Sequence, residues 1–265
     1  MQRLIVPILL ALAALGLAGL VLLPPIPQPL WYHDFADQRS VLGIANFWNV
    51  VSNVPFVFVG GLGIWRVASE RTKDQRDLEG RWMYLGFFAA VAFMGAGSAF
   101  YHLNPNNGRL VWDRLPIAVT FMALFAIVIA EYLNRRAGVL LFVPLVLLGA
   151  ATVFYWHLTE TWGKGDLRPY LLTQLYPAVA IPLILWGCLE RYASGGTLYS
   201  AMAWYVGAKV YEFLDKEVFS FGEVISGHTL KHIGAAVSCY LILIWMRERR
   251  ILDRPPKAIE ASLGL

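Results

Sequence analysis

Residues 4–23 read LIVPILLALAALGLAGLVLL, twenty consecutive positions without a charged or strongly polar side chain. A helix rises 1.5 Å per residue, so such a stretch covers about 30 Å, the hydrocarbon thickness of a bilayer. Arg3 precedes it, and Pro24, Pro25, Pro27 and Pro29 follow. The apolar region of a secretory signal is shorter, about 7–15 residues, and ends at a small-residue cleavage site. Residues 1–30 therefore read as a retained anchor helix followed by a stiff, proline-rich linker.

The rest of the chain repeats this character. Hydrophobic residues make up 58% of the 265 positions and charged residues only 15%, whereas a soluble domain is about 45–50% apolar and about 25% charged. The charges gather in short stretches between long apolar runs, which excludes a soluble enzyme, a nucleic-acid binder and a disordered chain. Seven further spans are expected at 46–66, 82–102, 113–133, 138–156, 170–189, 197–214 and 227–246. None alternates with the period of a transmembrane strand. The expected fold is all-α: a polytopic membrane bundle with a seven-helix core at 31–246, one N-terminal anchor helix, and a polar tail at 247–265 containing Pro255 and Pro256. Cys188 and Cys239 lie inside apolar runs and read as packing residues.

Lys and Arg report orientation in a membrane protein. Fourteen of the twenty-two fall in one set of alternate segments: Arg3, the 66–81 stretch, Arg135 and Arg136, Arg191, and the tail. Six, including Arg39, Arg109, Arg114 and Lys216, fall in the other, while Lys209 and Lys231 lie within spans. This places both termini in the cytoplasm and requires an even number of spans. Short loops suit a bacterial inner membrane.

His228 and His232, in SGHTLKH (226–232), stand four apart and stack on one helical face. His102 ends a span in GSAFYHLNP (97–105), and Asp113 opens the next in WDRLP (112–116). All four are expected at the outer surface, where three imidazoles and a carboxylate suit zinc with a fourth position open to water. Taken singly, an i, i+4 His pair arises by chance and a span-end His is often interfacial. Ionisable groups at membrane depth are costly and usually functional, which favours a site. Ser98, one turn before His102, either hydrogen-bonds an oxyanion or substrate, or is a small packing residue in the 95–98 run.

A second polar set, His33, Asp34, Asp37, Asn46, Asn49, Ser52 and Asn53, offers oxygen ligands for calcium, or else a capped helix start. A third, Asp166, Arg168, Tyr170 and Gln174, either caps a helix or frames a lipid portal. Lys209, Glu212 and Asp215 stand at helical spacing and are expected to neutralise one another.

Together, IANFWNVVSN (44–53), GSAFYH with WDRLP, and HTLKH resemble the alkaline ceramidases and their bacterial relatives, within a wider group of seven-helix membrane hydrolases that includes the progestin and adipoQ receptors. The resemblance covers about residues 31–246. It implies that His102, His228 and His232 hold zinc, that Asp113 contacts the zinc-bound water and that Ser98 lines the site. It also implies hydrolysis of a ceramide-like lipid to a fatty acid and a sphingoid base. The family's calcium site uses an acidic cluster and a Glu opening the first helix. Here that position is Asn46, and the upstream carboxylates are Asp34 and Asp37 in another arrangement, which weakens the case for Ca2+. Competing readings are a receptor-like lipid sensor with a closed metal shell that includes Asp113, an ester-cleaving lipid hydrolase, and a transporter with a His–Asp relay.

Overall fold

The computed structural model describes residues 2–69, 75–188 and 195–248. The polar tail beyond 248, Arg191 and the middle of the 67–81 loop lie outside the described residues. Ten α-helices follow in order: α1 (Gln2–Leu22), α2 (Phe47–Val51), α3 (Val54–Ser69), α4 (Gln75–His102), α5 (Asn107–Val128), α6 (Arg135–Thr161), α7 (Arg168–Cys188), α8 (Gly195–Phe213), α9 (Asp215–Ser220) and α10 (Gly227–Glu248). Seven segments are long and apolar enough to cross a membrane: α1, α2 with α3, α4, α5, α6, α7 and α10. The remaining long helix, α8, is 19 residues long, carries Lys209 and Glu212, and packs along α10. The protein is a multi-pass membrane helix bundle.

Helix boundaries differ from the expected ones where a cap decides them. The Asn106 side chain accepts a hydrogen bond from the Arg109 N–H, and the Asn134 side chain accepts one from Ala137. Each satisfies a backbone donor that would otherwise be orphaned. Helix α5 therefore starts at Asn107, and Asp113 lies nearly two turns inside it rather than at its opening. Arg114, expected at the surface, is buried within the same helix at 5% exposure.

Proline breaks the first span of the core where the site needs it. Pro55 supplies no N–H to the preceding turn, so α2 and α3 are interrupted at Ser52 and Asn53. Pro116 likewise leaves the Trp112 carbonyl without its helical donor. Helix α4 closes over that carbonyl at Gly97, where a Cβ would overlap the oxygen. This close approach brings Ser98, the next residue, against α5. The small-residue run thus serves packing and places the site at once.

The first helix packs along α7, with Ile5 and Leu9 buried in the hydrophobic core. The Tyr176 hydroxyl donates to the Leu9 carbonyl at 3.0 Å, and most α1 side chains face outward. The linker is more than a spacer. The Leu167 N–H donates to the Ile26 carbonyl at 2.8 Å, the Gln28 N–H donates to Glu160, and Arg114 Nη2 donates to Gln28 Oε1 at 2.6 Å.

Candidate active site

The last turn of α4 and the first two turns of α10 bring His102, His228 and His232 together. All three are at most 4% exposed, and their ligand atoms lie within 4.8 Å of one another. The His102 and His228 Nε2 atoms are 3.3 Å apart. Two nitrogens bound tetrahedrally at the usual zinc distance stand about 3.3–3.4 Å apart, so the spacing fits a shared metal. The alternative for this pair alone is an N–H···N hydrogen bond, which leaves His232 unexplained.

His232 is oriented for ligation by the break in the first core span. The Ser52 hydroxyl donates its single proton to the Asn49 carbonyl at 3.3 Å and sits 2.8 Å from His232 Nδ1. With the hydroxyl proton on that carbonyl, Ser52 is free to accept from Nδ1–H, the tautomer that leaves the lone pair on Nε2 for a metal. An outer partner of this kind typically accounts for 10–100-fold in metal affinity, so Ser52→Ala is expected to weaken zinc binding by about that factor, read by competition with a chromogenic chelator. Unchanged affinity would remove Ser52 from the site.

The segment at 34–46 seals the cluster from outside. The Phe35 ring lies 4.6 Å from that of His102 and 4.5 Å from that of His228, centroid to centroid. Asp215 clamps the segment to α10 by accepting from the backbone N–H of Ala36 at 2.9 Å and of His228 at 2.7 Å. Asp215 is thus a tether, not the partner of Lys209 that its spacing suggested. Glu212 takes both lysines: Lys231 at 2.7 Å, and Lys209 as well.

The expected calcium residues each have other partners. Asp37 is buried and bonded by Arg39 at 2.6 Å. Asp34 is exposed and paired with Lys216 at 2.8 Å, which holds its carboxyl below the usual carboxylate range. The Asn46 side-chain amide donates to the His102 carbonyl at 2.9 Å, supporting a zinc-candidate residue. In the third set, Arg168 and Tyr155 bind Asp166, while Tyr170 and Gln174 line the cavity described below. His33 bonds Tyr101 and Asn107.

Inward from the histidines lies a mostly apolar cavity of about 330 Å³ between α5 and α7 on one side and α8 and α10 on the other. Among the described residues, helices α7 and α8 have little direct contact. Its walls include Ile117, Phe121, Leu124, Leu198 and Met202 along the length, and Ser98, Asp113 and His232 at the polar end. The Asp113 carboxyl is 5% exposed, and Ser98 lies beside it. Sequence reading missed Arg114, Glu212 and Lys231 as cavity residues, although charges inside membrane helices and next to the motif residues were signals available for them.

One of the three histidines, His232, thus faces a mostly apolar cavity. The sequence matches the ceramidase family over residues 39–261. The chain belongs to the ceramidase family. Among curated proteins none matches it. The general activity is therefore amide hydrolysis of ceramide by a membrane-embedded enzyme, and the histidine cluster lies inside the matched region.

Proposed function

We propose that this ceramidase-family protein is a zinc-dependent intramembrane amidase that releases a fatty acid and a sphingoid-type base from a ceramide-like lipid. The observation that carries this reading is a cluster of three buried imidazoles, of which His232 lines an apolar cavity together with Asp113 and Ser98. His102, His228 and His232 are the zinc ligands. Zinc bound there supplies Lewis acidity, acidifying water toward a pKa of ~7 and polarising the scissile carbonyl. Asp113 takes the proton from the attacking water and delivers it to the leaving nitrogen. Ser98 donates a hydrogen bond to the oxygen on which negative charge develops. The apolar walls hold the acyl chain, which reaches the cavity sideways from the bilayer between α7 and α8.

The receptor-like reading expects Asp113 inside the metal shell. Among the described residues the ligand cluster consists of histidines alone, which favours an open coordination position. For orientation, the bias of Lys and Arg supports both termini in the cytoplasm of a bacterial inner membrane, with the site near the outer face. The test is fatty-acid release from a long-chain ceramide by purified protein in detergent, followed by mass spectrometry. Chelation is expected to abolish release, and about one equivalent of zinc to restore it. Full activity in metal-free protein would end the zinc assignment, and no release at any zinc level would end the amidase reading.

A further inference from the structure

We propose that the polar end of the cavity is built for a lipid amide that carries a carboxylate beside the scissile bond, and that Arg114 receives this anion; the idea rests on the amidase reading above. Five side chains of the Asp, Glu, Lys and Arg types line the cavity: Asp113, Arg114, Lys209, Glu212 and Lys231. Three are cationic and two anionic. Both lysines are committed to Glu212. Asp113 has no cation within ion-pair distance, and it is the group assigned to proton transfer. Among the described residues, Arg114 has no carboxylate within ion-pair distance either, and its one side-chain acceptor is neutral.

The surroundings of Arg114 do not neutralise it. The guanidinium lies 4.2 Å over the Trp156 ring, 4.9 Å from Tyr170 and 5.4 Å from Tyr32. Nη2 donates to a neutral acceptor, Gln28 Oε1, and Nη1 has no hydrogen-bond partner. A buried cation without a carboxylate is costly, and aromatic faces offset only part of that cost. If its only task were to tether the linker through Gln28, a neutral donor would serve without burying charge. A planar guanidinium held by three rings, with one donor unspent, suits recognition of a carboxylate.

Arg114 adjoins Asp113 in sequence, and both line the same cavity. The anion it receives thus belongs near the reacting amide, as when the carbon bearing the amide nitrogen also bears a carboxylate. The matching substrate class is a long-chain N-acyl amino acid. Its hydrolysis adds water across the C–N bond: hydroxyl goes to the acyl carbon, the proton goes to nitrogen, and a fatty acid and a free amino acid result.

The decisive pair is N-palmitoylserine and N-palmitoylserinol, which differ only in carboxylate against hydroxymethyl. Their dissociation constants are measured by titration calorimetry on the purified protein in neutral detergent, with turnover followed in the same samples. The wild type is expected to bind the acid at least about tenfold more tightly, a difference of about 1.4 kcal/mol. In Arg114→Gln the ratio of the two constants should fall toward one, and Arg114→Lys should restore part of it. Equal or weaker binding of the acid by the wild type overturns the proposal without recourse to any variant. So does an Arg114→Gln protein whose ratio is unchanged, since Arg114 would then be only a scaffold. Selective binding without release from either amide keeps the anion site and sinks the amidase reading. Release from the serinol amide with no binding preference does the reverse.

Discussion

Replacing His228 with Ala is expected to reduce the metal content of the purified protein from about one zinc per chain to none. Hydrolysis should fall with it by on the order of 10³-fold or more, because several kcal/mol of charge stabilisation leave with the metal. The His228 and His102 Nε2 atoms are 3.3 Å apart, so in the proposed site His228 is one of three ligands, and two imidazoles would not hold zinc against detergent and buffer. The substitution separates ligation from folding. Asp215 grips α10 through the backbone N–H of residue 228, a bond that alanine retains. The helix start and the tether to Ala36 should therefore persist, and the spectroscopic helix content should not change. Elemental analysis by mass spectrometry beside a ceramide assay reads both effects. A variant that keeps its zinc and its turnover would dissolve the metal site, leaving the histidines as buried packing groups.

Asp113→Asn is expected to behave differently: zinc stays and turnover falls about 10²–10⁴-fold, the range for removal of a positioned general base. The side chain keeps its volume beside Ser98, so the cavity wall is preserved. Because Asp113 lines the cavity but lies outside the histidine cluster, the metal shell does not need it. The loss should appear in kcat with KM little changed, since the proton moves only on the way to the transition state. Full activity would remove Asp113 from the mechanism. Zinc lost together with activity would instead mark Asp113 as a ligand and revive the closed, receptor-like shell.

Much of the fold could be read in the chain because membrane crossing is a local property. Each apolar run must satisfy its own backbone within itself, so its length and composition suffice to name it. This worked for α1, α4, α6 and α7. It served less well at α8, where charge inside the segment lowers its apolar character. The helix persists there because it packs along α10 and because Glu212 holds Lys209 and Lys231. Boundaries were the weakest part, since Asn106 and Asn134 extend their helices through single side-chain caps.

The four-residue spacing of His228 and His232, the His102 span end and the presence of Asp113 near the start of the next span are determined by sequence alone, because helical periodicity and the cost of burying charge act along one segment. The juxtaposition of those segments is not. Only the tertiary structure puts Phe35 over the histidines, turns the Ser52 hydroxyl toward His232, reassigns Asp215 from charge partner to tether and places Arg114 in the cavity wall. Each of these is a contact between residues far apart in the chain. It is decided by where Gly97 lets α4 approach the unpaired Trp112 carbonyl and where Pro55 breaks the first span of the core. Spacing within a helix reveals which side chains share a face; which face of which neighbour they meet depends on packing.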